Sequence, residues 1–247
     1  MKFTLPNFVK LNRYLINIIN KKLDFIITRE NCKIGFIDVL NNLIKTNRPK
    51  SIIEVGGADR PIFEKNINYN YIGIDVDEVH KDHISYDQIF IQSIEDRINL
   101  KGDMIISKCL LEHVKNNKKS IQNIYNMLSP YGISAHYVPS KYHPYSIILR
   151  LINHKIQNIL IRHLRPHAEG TGYQTFFNYC SPNEMKSLFK SVGFSQIEII
   201  PYYKATDYFS FFLPLYYLIL IYEEMIKFLK LRNLGCGFII IGRKIAS

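Results

Sequence analysis

The chain has 247 residues, of which 47% are apolar, and a formal net charge of +11. That is enough chain and apolar content for one large α/β domain with insertions around a packed core. Its four cysteines, Cys32, Cys109, Cys180 and Cys236, lie far apart with no C-x-x-C pair, which argues against a zinc knuckle or a disulfide framework and fits a reducing cytoplasm.

The charge is uneven. Residues 1–50 carry ten basic and three acidic side chains, whereas residues 51–111 carry six and eleven. Basic flanks of this kind face nucleic acid, anionic lipid or a phosphorylated substrate, or are simply solvated surface.

In residues 1–23, Leu5, Phe8, Leu11, Leu15 and Ile18 recur at mostly three- and four-residue spacing between basic residues. The segment therefore reads as an amphipathic helix and not as a secretory signal, packed on its own domain or lying on a membrane. A second helix is expected over residues 33–46. Short apolar runs then predict five successive strands: SIIEVG (51–56), YIGIDV (71–76), QIFIQS (88–93), DMIISK (103–108) and ISAHYV (133–138). Residues 112–132 predict one connecting helix, with Ile121, Ile124, Tyr125 and Leu128 on one face and Pro130 and Gly132 ending it. Strands alternating with helices imply a doubly wound, mostly parallel sheet. Residues 181–194 predict a further helix, capped by Ser181 and closed by Gly193, before a sixth strand in QIEIIPYY and a seventh in GFIIIGRK.

Two segments interrupt this order. Residues 140–180 contain His143, His154, His163 and His167 among several basic residues, with no acid before Glu169. Residues 208–222 contain no charged residue, but 15 residues with a central Pro214 are too few for a confident membrane span. A buried helix, a dimer surface and an interfacial membrane anchor all stay open for this stretch.

The chemistry concentrates in SIIEVGGADRP, residues 51–61, where a strand runs into an acid and two glycines, with a second strand ending in Asp75. Glycines at such a turn let the backbone approach a nucleotide-like ligand, and an acid about 20 residues later suits ribose hydroxyls.

In this order, IIEVGGADRP, IGIDVD and DMIISKCLLEHV, with SPYG before the fifth strand, resemble the class I S-adenosylmethionine-dependent methyltransferases, in particular those with an L-E-H tripeptide after the fourth strand. The resemblance implies a single methyltransferase domain over residues 1–247 with a Rossmann-like, seven-stranded, mostly parallel sheet and helices on both faces. Its parts would be an N-terminal helical segment (1–48), a cofactor-binding core (49–139), an acceptor-lid insertion (140–180) and an apolar helical insertion (204–234). The implied cofactor is S-adenosylmethionine. Glu54 would help position its methionine part, Gly56 and Gly57 would pass close to it, and Asp75, with Val76 beside it, would accept the ribose hydroxyls. Ser93 and Ile94 would meet adenine, and Lys108, Cys109 and Leu110 would line the floor beneath the sulfonium. Cys109 lacks the Pro-Cys or Thr-Cys context of a nucleophile and is expected to be a small packed residue. Glu112 and His113 are expected to fix the start of the next helix.

Methyl transfer is an in-line substitution that requires alignment and exclusion of water, with no metal. An alcohol acceptor would also need a general base, for which His143 and His167 are the candidates, while His136 is expected to be packed. YQTFFNYCSP and LRNLGCGFIIIGRK resemble bacterial methyltransferases of surface-glycan biosynthesis, implying a lipid-linked or nucleotide-linked sugar as acceptor and an enzyme in the cytoplasm, at the inner face of the membrane. A quinone or other lipophilic molecule is the alternative acceptor, and a noncatalytic membrane- or partner-binding module the alternative of another class. A nucleic-acid substrate is disfavoured, because N-P-P-Y and D-P-P-Y are absent and strand four ends in S-K-C-L.

Overall fold

The computed structural model describes residues 5–22, 32–57, 60–77, 85–152 and 173–245. Helices α1 (Leu5–Lys22) and α2 (Cys32–Asn47) come first. Strands β1 (Ser51–Val55), β2 (Asn70–Asp75), β3 (Gln88–Ile91) and β4 (Gly102–Lys108) follow, then α3 (Asn117–Met127) and β5 (Leu128–Pro139). Beyond them lie α4 (Pro144–Leu151), α5 (Pro182–Val192), β6 (Ser195–Tyr202), α6 (Leu213–Phe228) and β7 (Gly237–Arg243). The seven strands form one sheet in the order β3-β2-β1-β4-β5-β7-β6. β1 to β5 pair in parallel and β7 runs antiparallel to both β5 and β6, which gives the mostly parallel sheet expected.

Side chains of a strand alternate between faces, so each buried strand feeds two cores. In β1, Ile53 and Val55 join α3 and α5 residues such as Ile121, Ile124, Met185 and Phe189, while Ile52 faces Phe36 and Leu40 of α2. The same alternation places Ile105 on the first side and Met104 and Ile106 on the second, and divides Phe238 and Ile240 from Ile239 and Ile241. Each fully buried isoleucine stabilises the fold by about 1.5–3 kcal/mol, so the sheet carries much of the stability of the fold.

The connector after β4 differs from expectation. Leu111–His113 form a separate 3-10 turn, Val114 is extended, and α3 starts only at Asn117, with the Asn116 side chain accepting a hydrogen bond from the Lys119 N–H. The helix ends at Met127, short of residue 132. Leu128 already pairs with Gly102 as strand, and the register shift before Met104–Ile133 makes Ser129–Gly132 a bulge, with Tyr131 at φ +62°. Pro130 and Gly132 thus shape the entry of β5 and do not stop the helix. At α5, Ser181 and Gly193 occupy the expected cap positions, but the Ser181 hydroxyl donates to the Glu184 carboxylate (2.7 Å) and does not accept a backbone N–H.

The stretch 208–222 is not a wholly buried helix. α6 buries Tyr216, Ile219, Leu220, Glu223 and Ile226 and exposes its opposite side. Among the described residues, no helix is long and apolar enough to cross a membrane.

Candidate functional site

Parallel pairing brings the carboxyl ends of four strands to one edge, where open α/β sheets bind ligands. Val55 of β1 lies opposite Ile74 of β2 and Ser107 of β4, and Asp75 lies opposite Ile91 of β3. The residues that follow therefore share a rim: Gly56 and Gly57 after β1, Asp75 and Val76 at β2, Ser93 and Ile94 after β3, and Lys108 to Leu110 at β4. Chain positions up to 54 residues apart become neighbours through strand register alone.

Glu54 is 1% exposed. Its Oε2 accepts from the Tyr71 hydroxyl, the Tyr86 hydroxyl (3.0 Å) and the Ile62 N–H (3.0 Å). Burial pushes its carboxyl above the ordinary range, while these hydrogen bonds and the charge of Lys108 pull it back. Burial and the neighbouring Glu54 charge raise the Tyr71 and Tyr86 phenols, which keeps both as donors. Glu54 thus anchors the glycine turn from below. Gly57 is part of the same arrangement, because a Cβ there would stand 2.3 Å from the Tyr86 hydroxyl and 2.4 Å from Glu54 Oε1. Gly56 adopts φ +78° under the Leu110 side chain, a conformation that side-chain-bearing residues rarely adopt.

At the rim, Asp75 Oδ1 accepts from the N–H groups of Val76 (2.7 Å) and Asp77 (3.2 Å), which fixes the carboxylate at the strand end. Val76 is exposed. Ser93 Oγ accepts from the Glu95 N–H (3.2 Å), and Ile94 lies within the core. Cys109 is not the packed residue expected: it is exposed, with φ +54°, its N–H held by the Tyr137 carbonyl (3.0 Å) at the turn out of β4.

Across that turn runs residues 173–180, the described end of the 140–180 insertion. Phe176 and Phe177 donate their N–H groups to the Glu112 carbonyl (2.7 and 3.1 Å), and Asn117 Nδ2 donates to the carbonyls of Leu111 (2.8 Å) and Asn178 (2.6 Å). Tyr173 reaches the carboxylate of Asp77, two residues beyond Asp75. This strap joins the exit of β4 to the exit of β2.

Beneath it, Glu112 is buried, its Oε2 has no hydrogen-bond partner among the described residues, and burial pushes its carboxyl up to about 8. His113, expected only to start a helix, stands in the 3-10 turn with Nδ1 3.1 Å from the Gln174 carbonyl. That contact assigns the ring proton to Nδ1 and leaves Nε2 as the basic nitrogen, 3.7 Å from Glu112 Oε1. Burial lowers its pKa, so the ring is neutral at pH 7. His113 is the functional candidate that sequence reasoning missed. Its position directly after strand four was the available signal.

The histidines favoured from sequence fare differently. His143 is 1% exposed, with Nδ1 accepting the Tyr145 N–H (3.3 Å) and Nε2 3.2 Å from Glu223 Oε1. Both ring nitrogens are engaged, so in this arrangement it has no nitrogen for an acceptor's proton. His167 lies outside the described residues. His136 is buried between Ser107 Oγ and Ser134 Oγ, and burial pushes it down to about 3. A separate cleft of about 490 Å³ lies at the opposite edge of the sheet, between Arg48, Lys50, Asp103, Tyr131 and Arg243, away from the rim.

A family model described as a methyltransferase domain matches residues 28–199. Among solved structures, the CurJ carbon methyltransferase superposes with a TM-score of 0.53 at 15% identity, over 87% of this chain and 54% of its own, so this chain spans about half the length of that protein. A SAM-dependent methyltransferase from Archaeoglobus fulgidus gives 0.52 at 13% identity, over 93% of this chain and 99% of its own. The N-methyltransferase NodS from Bradyrhizobium japonicum WM9, solved with S-adenosyl-l-homocysteine, gives 0.52 at 11% identity, over 87% and 89%. At these identities the likeness is one of fold. A search of curated protein sequences finds no match.

Proposed function

We propose, since the chain belongs to the methyltransferase domain family, that it is an S-adenosylmethionine-dependent methyltransferase whose β1 to β4 rim holds the cofactor and presents it to a sugar hydroxyl of a surface-glycan precursor, lipid-linked or nucleotide-linked. The observation that carries the site is the juxtaposition of Asp75, oriented by two backbone N–H groups, with the Gly56–Gly57 turn on the adjacent strand. These residues fit the cofactor: a fixed carboxylate suits vicinal ribose hydroxyls, and the turn brings bare backbone to the strand edge. Ser93 and Ile94 border the adenine end, and Lys108, Cys109 and Leu110 lie under the reacting centre. The chain would belong among the L-E-H methyltransferases, with L-L-E-H at residues 110–113.

S-adenosylmethionine supplies the electrophilic methyl group. The protein aligns the acceptor oxygen and excludes water. The strap of residues 173–180 serves that exclusion as part of the acceptor-lid insertion, in which His167 stays a candidate for acceptor contact. His113 Nε2 takes the acceptor proton, since its tautomer and neutral state suit a base near pH 7. The acid-free run of basic residues from Lys141 to Arg165 suits a diphosphate-bearing acceptor. A lipid-linked acceptor would hold the enzyme peripherally at the cytoplasmic membrane face. The exposed apolar side of α6 also favours a quinone or other lipophilic acceptor as a second reading.

Mass spectrometry of surface glycans from cells lacking the protein tests the acceptor. A sugar that loses one methyl unit supports the first reading. Unchanged glycans with an unmethylated quinone accumulating would replace it by the second.

A further inference from the structure

One side of α6 carries Leu218, Ile221, Met225 and Phe228 at 64%, 66%, 51% and 85% exposure. Spaced three, four and three residues apart, they form one stripe, opposite the buried stripe of Tyr216, Ile219, Glu223 and Ile226. A helix that is apolar on every side belongs in a core or against lipid, and here only one side has a core. α1 lies beside it: Ile16 packs on Tyr216 and Leu220, and Asn20 Nδ2 donates to the Tyr216 hydroxyl (2.8 Å). α1 likewise exposes Leu11, Leu15 and Ile18.

Charge decides what covers this face. α1 has no acidic residue. The carboxylates of α6 are Glu223, buried against His143, and Glu224, paired with Lys204. Lys10, Lys21 and Lys22 of α1 are exposed, as are Lys230 and Arg232 just past α6. A second copy docking here about a two-fold axis would set these cations against one another, whereas an anionic surface would complement them.

We propose that the exposed faces of α1 and α6 dock on an anionic lipid bilayer, with the apolar stripe at the headgroup boundary and the lysines on the lipid charges. The inference rests on the peripheral location proposed above and assigns it to named residues.

Flotation of the full chain with vesicles of phosphatidylcholine, with and without phosphatidylglycerol, tests it. We expect recovery only with the anionic vesicles, weakened by added salt. Ile221→Ser with Phe228→Ser should lower the affinity by about tenfold or more, and Lys21→Glu with Lys22→Glu should do likewise. All four positions are exposed, so an unchanged near-ultraviolet circular dichroism spectrum should accompany the loss. Wild-type protein that fails to float, or binding that both double variants leave intact, overturns the proposal. So does a dimer in sedimentation that the Ile221 and Phe228 changes dissolve while vesicles stay bare. Calorimetry with S-adenosylhomocysteine on the same protein is read separately. Heat without flotation discards the docking face alone, and flotation without heat discards the cofactor site alone.

Discussion

Asp75 has its Oδ1 held by two N–H groups, which pre-orients the carboxylate for a pair of hydroxyls. A hydrogen bond to a charged group contributes about 1.5–3 kcal/mol, so Asp75→Ala should weaken S-adenosylhomocysteine binding by about 10- to 100-fold in calorimetry. The unfolding temperature of the free protein should barely move. His113→Asn should lower kcat by about 100-fold or more with KM for the methyl donor unchanged, and an unaltered kcat would remove His113 from the chemistry. Glu112 makes a prediction of opposite pH sense to most carboxylates. Its folded pKa of about 8 exceeds the ordinary 4.5, so between those values the folded state binds a proton that the unfolded state has released. Stability contributed by this group is complete below about pH 4.5 and is lost as pH rises toward 8, with a slope of up to about 1.4 kcal/mol per pH unit. Glu112→Gln should flatten that decline in thermal melts between pH 5 and 8; an identical slope would mean the carboxyl ionises freely in the fold.

At the scale of elements, Glu223 of α6 ties three pieces together. It meets His143 at the start of α4, and accepts from the Ala205 N–H (2.8 Å) and the Thr206 hydroxyl ahead of its own helix. Removing its carboxylate leaves the His143, Ala205 and Thr206 donors without an acceptor, at about 1–3 kcal/mol each. Glu223→Ala should therefore lower the melting temperature by roughly 6 °C or more, and Glu223→Gln, which keeps an acceptor, by less. His143→Asn should spare the kcat of the folded fraction; a collapse of kcat would return His143 to the chemistry. The sequence made some of this legible and hid the rest for physical reasons. β1, β2 and β4 are readable because both of their faces are buried, so apolar or aromatic residues fill consecutive positions: Ile52 and Ile53, Tyr71 and Ile72, Ile105 and Ile106. The glycine turn and Asp75 are readable because their spacing is set by two local strands. The end of α3 is not, since Leu128 continues the helical spacing of Ile121 and Ile124 while its backbone already belongs to β5. The tautomer of His113 depends on Gln174, 61 positions away, and the engagement of His143 on Glu223, 80 positions away, so neither is visible in local spacing.

For the whole molecule, the rim draws on four strands, so cofactor binding reports on the sheet as a unit. S-adenosylhomocysteine at 100 times its Kd should add about 2.7 kcal/mol, a rise of roughly 5–11 °C in melting temperature for a domain of this size. A rise in the Asp75→Ala variant equal to that of wild type at the same concentration would mean the ligand sits elsewhere. The order of the sheet also has a consequence for how the protein is made. β7 is synthesised after every other strand, yet it occupies the slot between β5 and β6 and pairs with both. While the ribosome is still extending the chain, β1 to β5 can assemble and place Asp75 beside its glycines, but β5 keeps a raw edge and β6 has no neighbour. A nascent chain stalled before Gly237 would thus have most of its rim and two sticky borders at once, so the quality-control burden of this fold falls on the interval before its seventh strand is made.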